Sequence, residues 1–196
     1  MDWSRLKAAD LRRRATAAVR AEGGLAAMEF ALLAPLMIFL FFAVVEGSNA
    51  LSVSRRVSLA VNTLADLASQ ETQLSATQAD DLFEGVEQII AQGSIAVDAR
   101  LVSLIIDPDT DEVVVHWSRD NSGGEPYAPG AVYNDLADAS LLDVSSSLVV
   151  GEIEYSYVSP LTKALIPSVE FDKIATRWPR RSARVQFCTA PNVCTN

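Results

Sequence analysis

The first candidate for chemistry is Glu29, because it is an acid inside an apolar run. Residues 25–45 are almost wholly apolar, and as a helix rising 1.5 Å per residue they would reach about 31 Å, the hydrocarbon thickness of a bilayer. A carboxylate a little over one turn inside such a span costs about 2.5–3.5 kcal/mol on insertion scales unless something offsets it. One offset is snorkelling to the headgroups from a shallow depth. The other depends on Gly23 and Gly24, small residues that would let a peptidase reach an extended backbone just before the apolar run. If the chain is cut after Gly24, the new α-amino group of Leu25 and the Glu29 carboxylate lie at the same membrane face. In a bundle of such helices one subunit's ammonium can then sit near another's carboxylate. Opposite charges near 4 Å attract by about 4 kcal/mol at intermediate dielectric, before desolvation is subtracted.

Other reactive residue types are sparse. Asp107, Asp109, Asp111 and Glu112 open like a calcium loop, but Glu112 stands where that loop requires glycine and Ser118 where it requires glutamate. An acidic hairpin turn is expected there. His116 is the only histidine of the chain. No Gly-x-Ser-x-Gly, zinc-ligand spacing or phosphate-cradling glycine loop accompanies it. These residues predict no enzyme, no metal, no cofactor and no small-molecule substrate. Arg177, Arg180, Arg181 and Arg184 form a basic cluster, read either as intramolecular partners for carboxylates or as a docking patch for an acidic partner. Trp117, Trp178 and Phe187 are expected in the core.

Charge and periodicity indicate how these residues are positioned. Residues 1–24 hold six arginines and lysines against three acids, a net +3, so the positive-inside rule keeps them in the cytoplasm and puts the rest outside. The whole chain of 196 residues carries −9, which leaves −12 for the outer part and disfavours nucleic acid. Cys188 and Cys194 then lie in an oxidising compartment, where a bridge through Pro191-Asn192 is expected to contribute about 2 kcal/mol; two free thiols are the alternative. Pro35 removes one helix hydrogen bond in mid-span and predicts a bend.

Beyond the span, Ala50, Val53, Val57, Ala60, Leu64 and Leu67 make one apolar stripe, so a single helix is expected to continue to about Ser69. Arg55 and Arg56 sit on its polar side. Ser75-Ala-Thr-Gln has capping-box spacing and predicts a second helix, with Asp80 and Asp81 in its first turn, Leu82, Val86, Ile89 and Ile90 on its apolar face, and Gly93 closing it. Strands are expected over 99–106 and 112–118, as a hairpin, then over 148–158, 171–178 and 183–187. In the third, Ile153, Tyr155 and Tyr157 should be buried, with Glu152, Glu154 and Ser156 wet. Residues 119–130 read as a loop, followed by a weak helix near 133–139.

Gly24-Leu-Ala-Ala-Met-Glu29-Phe30 resembles the Gly/x-x-x-x-Glu-aromatic processing site of Flp pilins and pseudopilins, which a membrane aspartic peptidase cuts after the glycine. The longer string through Phe30-Ala-Leu-Leu-x-Pro35-Leu, followed by an apolar run and Val-Glu-Gly, is similar to the TadE-like minor pseudopilins of the tight-adherence (Tad/Flp) type IVb pilus system. The resemblance covers about residues 20–65. It implies cleavage between Gly24 and Leu25 by a prepilin peptidase, assembly roles for Glu29, Phe30 and Pro35, and as partners the inner membrane, other pilins and pseudopilins and the Tad secretion machinery. The pilin-like layout it implies is a transmembrane helix that extends into a long amphipathic stem. The order helix, helix, hairpin and further strands predicts an α+β fold, with a small, mostly antiparallel sheet and a second helix as the head.

The expected organisation is a basic cytoplasmic leader over 1–24, a transmembrane helix over 25–46, a helical stem over 47–70 and a periplasmic head over 71–196. The expected function is a minor pseudopilin involved in biogenesis of a Tad (Flp) pilus. The alternative is an uncleaved single-pass protein whose periplasmic head binds a protein partner as an envelope or secretion scaffold.

Overall fold

The computed structural model describes residues 22–90, 97–136, 138–159, 168–190 and 193–195. The leader up to residue 21 and Gly93 lie outside the described residues. Two compact units divide the chain, Met1–Gly47 and Ser48–Asn196. Helix α1, Glu22–Gln70, contains Pro35 and carries the apolar span.

In the second unit, α1 buries Val53, Val57, Ala60, Val61, Leu64, Ala65 and Ala68. The stripe is broader than its spacing suggested, and it ends on Ala68, whereas Leu67 is 43% exposed. An α-helix repeats every 3.6 residues, so the alternating three-and-four pattern drifts off the buried face by Leu67.

After α1, β1 (Gln73–Ser75) leads into α2 (Ala76–Ile90). The capping box is formed: the Gln78 backbone N–H donates to Ser75 Oγ at 3.2 Å, and the Ser75 N–H donates to Gln78 Oε1 at 2.9 Å. Because α2 starts at Ala76, Asp80 and Asp81 fall beyond its first turn, contrary to expectation. Its buried face is Ala79, Phe83, Val86 and Ile90, with Leu82 and Ile89 partly buried.

Strands β2 (Val97–Ile106), β3 (Val113–Asp120), β4 (Leu148–Tyr157) and β5 (Val169–Arg177) form an antiparallel sheet in the order β3-β2-β4-β5. The acidic stretch after Ile106 is the hairpin turn between β2 and β3. Asp107 Oδ1 accepts the Asp109 N–H at 2.9 Å, and Asp111 takes a positive φ of 58°. A smaller sheet has the order β1-β6-β7, with β6 (Gln186–Ala190) parallel to β1 and antiparallel to β7 (Val193–Cys194). The architecture is α+β: a long N-terminal apolar helix, a second helix and a mainly antiparallel sheet.

Both faces of the large sheet are covered. One packs Ala99, Leu101, Val149 and Ile153 against α1 and α2; the other packs Val102, Leu104, Val115, Leu148 and Val150 with Tyr133 and Leu142. Gly151 of β4 marks the close approach to α1: a Cβ there would meet the Val61 carbonyl oxygen at 3.2 Å. The helix expected near 133–139 is not formed over the described residues. Val132 instead bridges Val114, and one 3-10 turn spans Ala139–Leu141.

Candidate functional site

The membrane-proximal site is built on the first turns of α1. The apolar span is 0% buried by the chain itself, and Leu25, Phe30 and Leu32 are 59%, 69% and 76% exposed. So large an apolar surface needs lipid or other helices around it. Glu29 is also exposed. Side chains on a helix lean toward its N-terminus, so the carboxylate points back over the turn that holds Leu25. Leu25, Glu29, Leu32 and Leu33 follow helical neighbour spacing and share one face.

The Gly24–Leu25 peptide was expected to be extended, and it is instead inside the first turn of α1. Physics leaves that turn weak. Each glycine in it costs about 1 kcal/mol relative to alanine. Apart from its chain neighbours and the nearby helix backbone, no atom lies within 4 Å of where a Cβ on Gly24 would stand.

In the head, Cys188 and Cys194 are joined by a disulfide with Cα atoms 4.0 Å apart, across the β6–β7 pairing. Next to the bridge, Phe187 is buried against Trp117 at 5.3 Å, and Thr195 both donates to and accepts from the Phe187 backbone. Trp178, expected in the core, is 55% exposed, with its Nε1–H donating to the Leu141 carbonyl at 2.9 Å. The strand simply ends one residue before it. His116 is buried within β3.

A polar network was missed in the sequence. Glu152, expected to be wet, is 5% exposed and accepts hydrogen bonds from Tyr133 Oη at 2.6 Å and Tyr127 Oη at 2.9 Å. Arg100 Nη1 lies 3.8 Å from Glu152 and 3.0 Å from Glu154, while Arg100 Nη2 is 2.7 Å from Asp98. Burial opposes charge on Arg100, yet its acidic partners hold the guanidinium pKa above its ordinary value. Burial first, then the bond to Glu152 and its charge, raises the Tyr133 phenol well above the usual range, and Tyr127 shifts the same way. The clue was available: Glu152 follows an unbroken apolar stretch, Leu148-Val-Val-Gly, which signals a strand buried on both faces. These groups satisfy one another as a cluster. Among the described residues no group of three or more His, Cys, Asp or Glu is arranged to hold a metal ion.

Residues 24–66 match the model of a family described as TadE-like protein. The match lies wholly within α1, contains Gly24, Glu29, Phe30 and Pro35, and points to a Tad pilus-associated membrane protein; among the described residues one helix, α1, is long and apolar enough to cross a membrane. A search of curated proteins and one of solved structures find no match.

Proposed function

We propose that this chain, TadE-like along its membrane-proximal helix, is a minor pseudopilin that a prepilin peptidase cuts after Gly24 and that takes part in Tad pilus assembly. The observation that carries the proposal is Glu29, an exposed acid on an unburied apolar helix, five places beyond a glycine in the glycine-weakened first described turn. Its carboxylate meets the freed amine of a neighbouring subunit, which offsets the cost of holding it in the membrane. The basic leader keeps the N-terminus in the cytoplasm, and the disulfide-bonded head faces the periplasm.

The second reading, an uncut single-pass scaffold, draws support from the helical state of the Gly24–Leu25 peptide. N-terminal sequencing of the membrane-expressed protein separates the two. A mature chain beginning at Leu25 is the expected result; a chain that keeps Met1 in cells that process their other pilins overturns the first reading. Independently, Glu29→Ala should insert normally and fail to enter the pilus machinery, and normal piliation in that variant would refute the role given to the carboxylate.

A further inference from the structure

The arginine cluster is left unused by the pilus reading. Of its four members, only Arg180 meets a carboxylate among the described residues, that of Asp66 on α1. Arg177 donates to Asn62 Oδ1 at 2.7 Å, Arg184 donates to the Val144 carbonyl at 3.1 Å, and Arg181 is exposed. Three guanidinium groups therefore meet no carboxylate among the described residues. Beside them stands Trp178, whose ring nitrogen is tied down while more than half of the side chain faces solvent. A fixed, exposed tryptophan among arginines has the composition of an interface anchor.

Helix α2 carries the complement. Helix α2 has four carboxylates, Asp80, Asp81, Glu84 and Glu87, and no lysine or arginine. Their spacings of three and four residues make them repel one another along the helix. Asp80 is neutralised by Arg119 of β3 at 2.9 Å, and Glu87 accepts only from the neutral amide of Asn121, at 3.0 Å. Asp81 and Glu84 are exposed. These contacts put α2 at the β2–β3 side of the sheet, whereas Arg177 and Trp178 lie at the β5 end. Three strand spacings, about 14 Å, separate β3 from β5, while Arg184, at the other end of the cluster, lies beside Thr72 and Gln73 ahead of α2.

We propose that the arginine–tryptophan surface of one head docks onto the α2 face of a second copy of this chain. The two patches are different, so the contact pairs the basic surface of one copy with the acidic surface of another. Uncompensated charges of opposite sign steer the approach and make the contact sensitive to salt, while the Trp178 ring supplies apolar area at its centre. The contact uses only the head and is independent of cleavage at Gly24.

The test uses the full chain in detergent micelles with a benzophenone photo-crosslinking residue at Gln88, on the exposed face of α2. Crosslinks to residues 177–184 of another copy are expected; crosslinks elsewhere, or none, overturn the proposal. Arg181→Glu, a change at an exposed side chain, should lower the crosslinked yield about tenfold, as should Asp81→Lys with Glu84→Lys. Mixing the two reversed proteins, with the crosslinker on the Lys-bearing one, should restore it. A yield indifferent to reversal, or not restored by the mixture, would equally overturn the proposal, and circular dichroism of each variant checks that the head remains folded.

Discussion

Glu152 carries the clearest energetic consequence of any single residue in the head. A buried carboxylate is tolerated only when its lone pairs are satisfied, and here two phenols and the edge of a guanidinium do so. Tyr133→Phe removes the shorter bond from the more buried partner and should cost about 2 kcal/mol in urea unfolding. Tyr127→Phe should cost less, because its phenol is closer to water. The same geometry sets an alkaline limit. Both phenols titrate above their ordinary value in the folded protein, so their contribution is complete below about pH 10 and is lost as pH rises past the unfolded value toward the folded one. The melting temperature of the wild type should therefore fall more steeply above pH 10 than that of Tyr133→Phe; parallel slopes would show that the network does not govern alkaline stability.

Two glycines with opposite roles test the assembly of the secondary-structure elements. Gly151→Ala would place a methyl group 3.2 Å from the Val61 carbonyl oxygen and 3.4 Å from Ala65 Cβ, against a helix backbone that has little room to move. Crowding should outweigh the entropy gained in the unfolded chain and destabilise the head by about 1–2 kcal/mol. Gly85 lies in the interior of α2 with nothing within 4 Å, so Gly85→Ala should stabilise by about 1 kcal/mol, a difference of sign that denaturant midpoints will show. The elements also show which parts of the fold were legible. The Ser75 capping box and the Asp107–Asp111 turn were readable because their hydrogen bonds close within a few residues. Strand β1 was not, since three residues have no periodicity and their partner, β6, lies more than a hundred positions away. Glu152 failed for a different reason. Alternation along β4 separates two faces correctly, and the apolar stretch before Glu152 hints that both are buried, but it does not say that Tyr127 and Tyr133 are what covers the second one. The Gly24–Glu29 spacing, by contrast, is a pattern of the chain alone and needs no tertiary information to be seen.

At the scale of the whole molecule, α1 serves two solvents. Its first part presents apolar side chains that the chain never buries, while its second part gives Val53, Val57, Ala60, Val61, Leu64, Ala65 and Ala68 to the core of the head. Fully burying an aliphatic side chain of valine or leucine size is worth about 1.5–3 kcal/mol, and a domain of this size has only about 5–15 kcal/mol of net stability. The helix segment beyond the membrane is therefore indispensable to the head. A fragment beginning at Ser48 should remain soluble and unfold cooperatively, because it retains the whole stripe and leaves out the exposed span. A fragment beginning at Glu71 should lose cooperative unfolding, with the faces of β2 and β4 that α1 covers open to water. Heat or urea unfolding of the two fragments, followed by circular dichroism, decides the point. If the shorter fragment unfolds as cooperatively as the longer, α1 is a tether and the head folds without it. If neither is soluble, the buried stripe does not complete the core and the division after Gly47 is misplaced.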